Sequence, residues 1–190
     1  KKVISLLLAI AVIISLVPAV FADDLPTMTV EVDKTEVQPG DTITLTLSID
    51  QTISNLNNWE WAIYFDKDAY VKTSGELEPG CTTSIGSTAG MVGDNVDILG
   101  KNAVRVSALS PSGDPVTLNA GKIATVTFMA TENITAENAR IEVKTEALPD
   151  YDTLEDNSVN LAGNIIDVTV VTTEEKGYTV SMGADTSAPY

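Results

Sequence analysis

The chain has 190 residues, of which 11 are basic, 27 acidic and none histidine, for a formal net charge of −16. That balance argues against nucleic acid and anionic membrane as partners, because both would repel it. With no histidine and a single cysteine, Cys81, histidine-dependent nucleophile systems and an internal disulfide are excluded.

Residues 1–22 read as an export signal. Lys1-Lys2 precede an apolar run from Val3 to Val17, and Ala19-Val20-Phe21-Ala22 supplies a cleavage site after Ala22. A membrane anchor is the alternative, since the run approaches the length of a span. Without this segment, nine basic residues face the same 27 acidic ones, a net charge of −18. Such a chain is expected to be secreted or held at the cell surface, and its cysteine usage suits a Gram-positive exporter. Residues 23–26 form a short linker to a domain expected over 27–171, which must hold together by packing alone.

Within that domain, Thr27 to Val32 alternates, with Met28, Val30 and Val32 on one side. Gln38-Pro39-Gly40-Asp41 is a turn signal, because proline presets φ and glycine accepts a positive one. Thr42 to Asp50 alternates again, placing Ile43, Leu45, Leu47 and Ile49 inward against Thr44, Thr46 and Ser48 outward. The strongest pattern is Asn57 to Asp66. Trp59, Trp61, Ile63 and Phe65 share one side of an extended strand, and Asn58, Glu60, Ala62 and Tyr64 share the other. The first side is a core face. The second is a solvent face that carries an amide, a carboxylate, a small residue and a phenol.

Asp66-Lys67-Asp68 reads as a turn, followed by a short strand over Tyr70 to Thr73. Residues 75–100 are rich in Gly, Ser, Thr and Asp and read as loops with one or two short strands. Lys101 to Leu109 is a strand with Val104 and Val106 inward and Ala103, Arg105 and Ser107 outward. Burying Arg105 without a partner would cost several kcal/mol, which sets that parity. Ser110 to Pro115 is a loop. Gly121 to Thr131 is a strand with Ala124, Val126, Phe128 and Ala130 on one face, Arg140 to Lys144 alternates, and Ile165 to Val171 is a last strand. The stretch from Ile134 to Arg140 has modest helix-forming content but is too short to count as a helix. Short strands between turn clusters define an all-β, two-sheet antiparallel sandwich or a barrel. Residues 172–177 are a polar linker, and 178–190 resume a strand pattern like that at Met28, as at the start of a second module.

Carboxylate pairs such as Asp66/Asp68, Glu76/Glu78 and Asp94/Asp97 fall mostly in loops of a chain rich in acid, and nothing marks an enclosing cleft. No catalytic residue is assigned. Asp150 to Asn157 offers oxygen ligands but lacks the glycine and spacing of an EF-hand loop, so it reads as an acidic solvated loop and no metal site is assigned. A carbohydrate-binding or cell-wall-attached sandwich remains open as an alternative, with Tyr64, joined by Tyr70 or Tyr151, as outward rings.

Four segments, taken in order, resemble cohesin domains, the receptor modules of cellulosome scaffoldins and related cell-surface proteins. They are Val30-Glu31-Val32 leading through Pro39-Gly40-Asp41-Thr42, Leu56-Asn57-Asn58-Trp59-Glu60-Trp61 through Phe65-Asp66, Val104 to Ser107 with its loop, and Gly121 to Phe128. The resemblance implies a jelly roll of about nine strands and no cofactor. It also implies a calcium-loaded dockerin as partner, carried by proteins such as glycoside hydrolases in a scaffold for polysaccharide degradation, with calcium on that partner. The implied contact face is Asn58, Glu60, Ala62, Tyr64, Arg105, Ser107 and Leu109. Asn58 and Glu60 match an Asn-x-Asp arrangement used by the family. The chain departs from the family where an acidic residue would fall near Ala108, and where Phe65-Asp66-Lys67 replaces Tyr-Asp-Pro.

Overall fold

The computed structural model describes residues 24–84, 89–93, 96–98 and 101–171. The segments expected to be an export signal and the start of a second module lie outside the described residues. The strands, in chain order, begin with β1 (Thr27–Val32), β2 (Glu36–Val37), β3 (Thr42–Ile49), β4 (Ile53–Leu56), β5 (Asn58–Phe65), β6 (Tyr70–Leu77), β7 (Thr82–Ser84) and β8 (Ala89–Val92). They continue with β9 (Val96–Ile98), β10 (Lys101–Leu109), β11 (Val116–Leu118), β12 (Gly121–Ala130), β13 (Ile141–Ala147), β14 (Asn160–Ala162), β15 (Ile165–Ile166) and β16 (Thr169–Val170).

Two main sheets face each other. One runs β14-β1-β3-β12-β6, and the other β15-β13-β5-β10-β8 with β9 also paired to β10. Two smaller sheets, β4-β11-β7 and β16-β2, accompany them. All pairings are antiparallel except β1 with β14 and β16 with β2. The result is the expected all-β sandwich. Its strands are more numerous and shorter than the implied nine, because several edge segments hold only two or three residues.

The alternation in β3 and β5 decides what lies between the sheets. Ile43, Leu45, Leu47 and Ile49 from the first sheet and Trp59, Trp61, Ile63 and Phe65 from the second are all buried in one core. Phe65 meets Phe128 across the gap with ring centroids 4.9 Å apart, and Tyr70 packs edge-on to Phe128 at 6.2 Å. The two indoles lie 5.1 Å apart, both with no exposed surface. Trp61 Nε1 donates to Thr145 Oγ1 at 3.1 Å, which satisfies its polar edge inside the core.

Several sequence expectations change in detail. β6 extends to Leu77, four residues beyond the expected end, because it pairs along β12 as the edge of the first sheet. Ile134 to Arg140 forms turns and no helix. The last strand divides in two: Ile165 and Ile166 pair with β13, whereas Thr169 and Val170 pair with β2. In β12 the register slips between Lys122 and Ala124, so Ile123 and Ala124 are both buried although adjacent. The Gln38–Asp41 turn forms as expected, with Gly40 at φ +86° and Asp41 N–H donating to Gln38 O at 3.0 Å.

Candidate functional site

The outer face of the second sheet is built on β5, with β10 on one side and β13 on the other. Cross-strand register sets its rungs. Leu109 lies opposite Asn58; Ser107, Glu60 and Ala147 form the next rung; Arg105, Ala62 and Lys144 follow; then Ala103, Tyr64 and Glu142. On the far side of β10, Met91 of β8 lies opposite Ser107. Side chains two residues apart on each strand share this face, so parity and register together specify its composition.

Its polar groups are held by one another. Arg105 Nη1 lies 3.1 Å from Glu60 Oε1 and donates to Oε2 at 3.3 Å. The Arg105 side chain keeps 41% of its surface exposed and the Glu60 side chain 18%, so the guanidinium stands above the carboxylate. Lys144 Nζ is 3.6 Å from Glu142 Oε1 and also sits over the Tyr64 ring, 5.5 Å from its centroid. A register slip in β13 between Thr145 and Ala147 leaves Glu146 as an extra residue. Its Oε1 accepts the Tyr64 hydroxyl at 2.6 Å. That hydrogen bond, with burial and the Glu146 charge, pushes the Tyr64 phenol up to about 12.

The face changes character toward the Asn58 end. Leu109 and Met91 are exposed there, at 49% and 57% of their surface. They bring apolar area to a surface that is otherwise charged.

The sequence placed Asn58, Glu60 and Tyr64 outward on β5 and Arg105 and Ser107 outward on β10, and the structure sets all five on this one face with Leu109. Ala62 belongs to the face by parity, yet it has no exposed surface. As a contact residue it is corrected to a floor: a methyl group lies below the stems of Arg105 and Lys144, its register neighbours on either side. Tyr70, offered as an outward ring, is buried, and its hydroxyl donates to the Ala139 carbonyl at 2.7 Å. Its position as the first residue of β6, against Phe128, draws it inside. Tyr151 is partly exposed, but on the acidic loop.

Sequence reasoning missed Glu142, Lys144, Glu146 and Met91. The alternation of Ile141 and Val143 with charged residues did mark β13 as half-buried. Nothing local said that β13 would lie beside β5.

The acidic loop is internally satisfied. Asp150 accepts from the Thr153 N–H, the Asp152 N–H, the Thr153 hydroxyl and Asn55 Nδ2, and Asn55 Nδ2 also donates to Asp152. These bonds, led by that from the Thr153 backbone, hold the Asp150 carboxyl below the usual carboxylate range. Among the described residues, no three His, Cys, Asp or Glu side chains are grouped to hold a metal ion. Cys81 is buried, and burial pushes its thiol up, away from nucleophile chemistry.

The two facing sheets, with an outer face on β5, β10 and β13, have the fold of solved cohesin structures, a jelly-roll sandwich. The CaDoc0917–CaCohA2 complex contains one such structure, a Clostridium acetobutylicum domain. It matches with a TM-score of 0.53 at 16% identity, over 75% of this chain and 99% of that one. The OlpC cohesin in a type I cohesin–dockerin complex from Clostridium thermocellum matches at 0.52 and 15%, over 80% and 99%. A type II cohesin from Bacteroides cellulosolvens matches at 0.50 and 18%, over 76% and 99%. No protein-family model and no curated protein matches the sequence. At these identities the likeness establishes the fold.

Proposed function

We propose that this chain is a non-catalytic, exported docking module that binds a dockerin-bearing protein, such as a glycoside hydrolase, in a cell-surface scaffold for polysaccharide degradation. Asn58, Glu60, Tyr64, Arg105, Ser107 and Leu109 make the contact, with Met91 extending its apolar end and Ala62 as its floor. Calcium belongs to the partner, and this chain needs no cofactor of its own.

One observation carries the reading. The cohesin-type fold turns both tryptophans fully inward and leaves a broad, polar sheet surface with an apolar end. A surface that gripped polysaccharide would need open aromatic faces for sugar rings. Here the indoles are inaccessible, and Lys144 overlies the Tyr64 ring. A face that combines exposed apolar side chains at one end with hydrogen-bonding groups suits a protein partner.

The test is capture of calcium-loaded dockerins from a panel by the wild-type chain. Asn58→Ala with Glu60→Ala should weaken capture by about 1–3 kcal/mol, the loss expected when hydrogen bonds to charged groups disappear. Failure to retain any dockerin, together with retention on cellulose or xylan that those changes leave intact, would replace docking with glycan capture.

A further inference from the structure

The rungs of the docking face carry alternating charge. Glu60 lies on one rung, with the Glu146 bulge beside it. Arg105 and Lys144 flank Ala62 on the next, and Glu142 lies on the one after. Along the strands the order is therefore acid, base, acid. Successive rungs on one face are about 6.8 Å apart, two residues of extended chain. Residues i and i+4 of an α-helix are separated by about 6 Å along its axis. A helix lying along β5 would thus bring one side chain to each rung.

From this geometry, and on the reading of the face as a dockerin site, we infer the partner's chemistry: its contact helix carries a basic–acidic–basic series at i, i+4 and i+8. The acidic residue seats between Arg105 and Lys144, above Ala62. The two cations come from strands on either side of β5, with backbones about 9.6 Å apart. Arg105 now leans to Glu60 and Lys144 to Glu142 and the Tyr64 ring, and both heads would swing back toward the Ala62 rung to meet one carboxylate. Ala62 contributes only a methyl group with no exposed surface, so the carboxylate would lie on the Arg105 and Lys144 stems that cover it, where a larger side chain at 62 would hold them apart.

Both cations have donors to spare. Arg105 contacts Glu60 through Nη1, which leaves its Nη2 donors for an incoming carboxylate. Lys144 meets Glu142 only at 3.6 Å, with half its side chain exposed. Pairs that keep much of the cation in water, as both do here, exchange at little cost. The incoming carboxylate would take charge-assisted bonds from both cations, while the released Glu60 and Glu142 would meet the flanking basic residues.

The pattern also fixes register. Shifted by one rung, the partner's acid would face Glu60 or Glu142 and one of its bases would face Arg105 and Lys144. The net charge of −16 still draws in a partner whose contact helix is net basic.

The dockerin captured most tightly by the wild-type chain is the probe, with binding measured by calorimetry at two salt concentrations. Arg105→Gln and Lys144→Gln should each weaken binding about tenfold, with a shallower salt dependence, while thermal unfolding confirms that both variants fold. Lys144→Glu should weaken it further. Changing the dockerin's acidic residues to Lys one at a time, calcium ligands excepted, should yield one variant that restores binding to Lys144→Glu. Unchanged affinity in both Gln variants, or no rescue by any dockerin variant, would overturn the inference while leaving docking intact. Wild-type chain that captures no dockerin would remove the docking reading itself, a separate and recognisable result.

Discussion

Arg105 Nη1 lies within 3.3 Å of both carboxylate oxygens of Glu60, across the boundary between β10 and β5. The pair is diagonal, one rung apart, and spans the centre of the outer face. Because the Arg105 side chain keeps 41% of its surface exposed, water screens the attraction. Its contribution to folding is therefore small, and on the proposed function its part is in docking.

A double-mutant cycle separates those roles. Glu60→Gln, Arg105→Gln and the combined change should show a coupling free energy below about 1 kcal/mol in urea unfolding followed by tryptophan fluorescence. A coupling of about 3 kcal/mol or more would make the pair a structural element instead.

The buried Trp61–Thr145 bond behaves differently. Thr145→Val removes the acceptor and leaves an indole N–H without a partner in the core, which should cost about 1–3 kcal/mol. Trp61→Ala removes the ring as well and should cost about 3–5 kcal/mol. Chemical denaturation of both variants checks the order. A Trp61→Ala protein as stable as wild type would mean that β5 is turned the other way.

Two glycines test backbone constraint against side-chain room. Gly163 has φ +67°, and a Cβ there would run into the Val30 carbonyl oxygen. Gly40 has φ +86°, but a Cβ would meet nothing within 4 Å. Gly40→Ala should cost about 1 kcal/mol from the left-handed backbone alone. Gly163→Ala should cost more, about 2–3 kcal/mol, because the β1 backbone must also move. Melting temperatures of the two variants give the comparison.

Alkaline pH should destabilise the domain through two phenols. Tyr64 is pushed up to about 12 chiefly by its hydrogen bond to Glu146, and Tyr70 to about 12 by burial, from an ordinary value of 10. Folding favours the protonated form of both. The stabilisation is thus complete below pH 10 and is lost as pH rises toward about 12. Unfolding free energy measured from pH 9 to 12 should fall across that window. Tyr64→Phe should flatten part of the fall. A slope unchanged by Tyr64→Phe would show that the Glu146 bond does not hold the phenol neutral.

The two-residue periodicity of Thr42 to Ile49 and Asn58 to Phe65 was enough, by itself, to settle the all-β class, the inward turn of both tryptophans and the outward turn of Asn58, Glu60 and Tyr64. It could do so because parity is a property of a single extended strand: each peptide unit flips the next side chain, whatever lies alongside. Neighbours are another matter. That Lys144 would flank Ala62, that a bulge would hand Glu146 to Tyr64, that Met91 would join Leu109, and that Ala62 would lose all contact with water depended on β13 and β8 pairing into the same sheet from far along the chain. Only hydrogen bonding between distant strands chooses those partners, and no local pattern of residues encodes it.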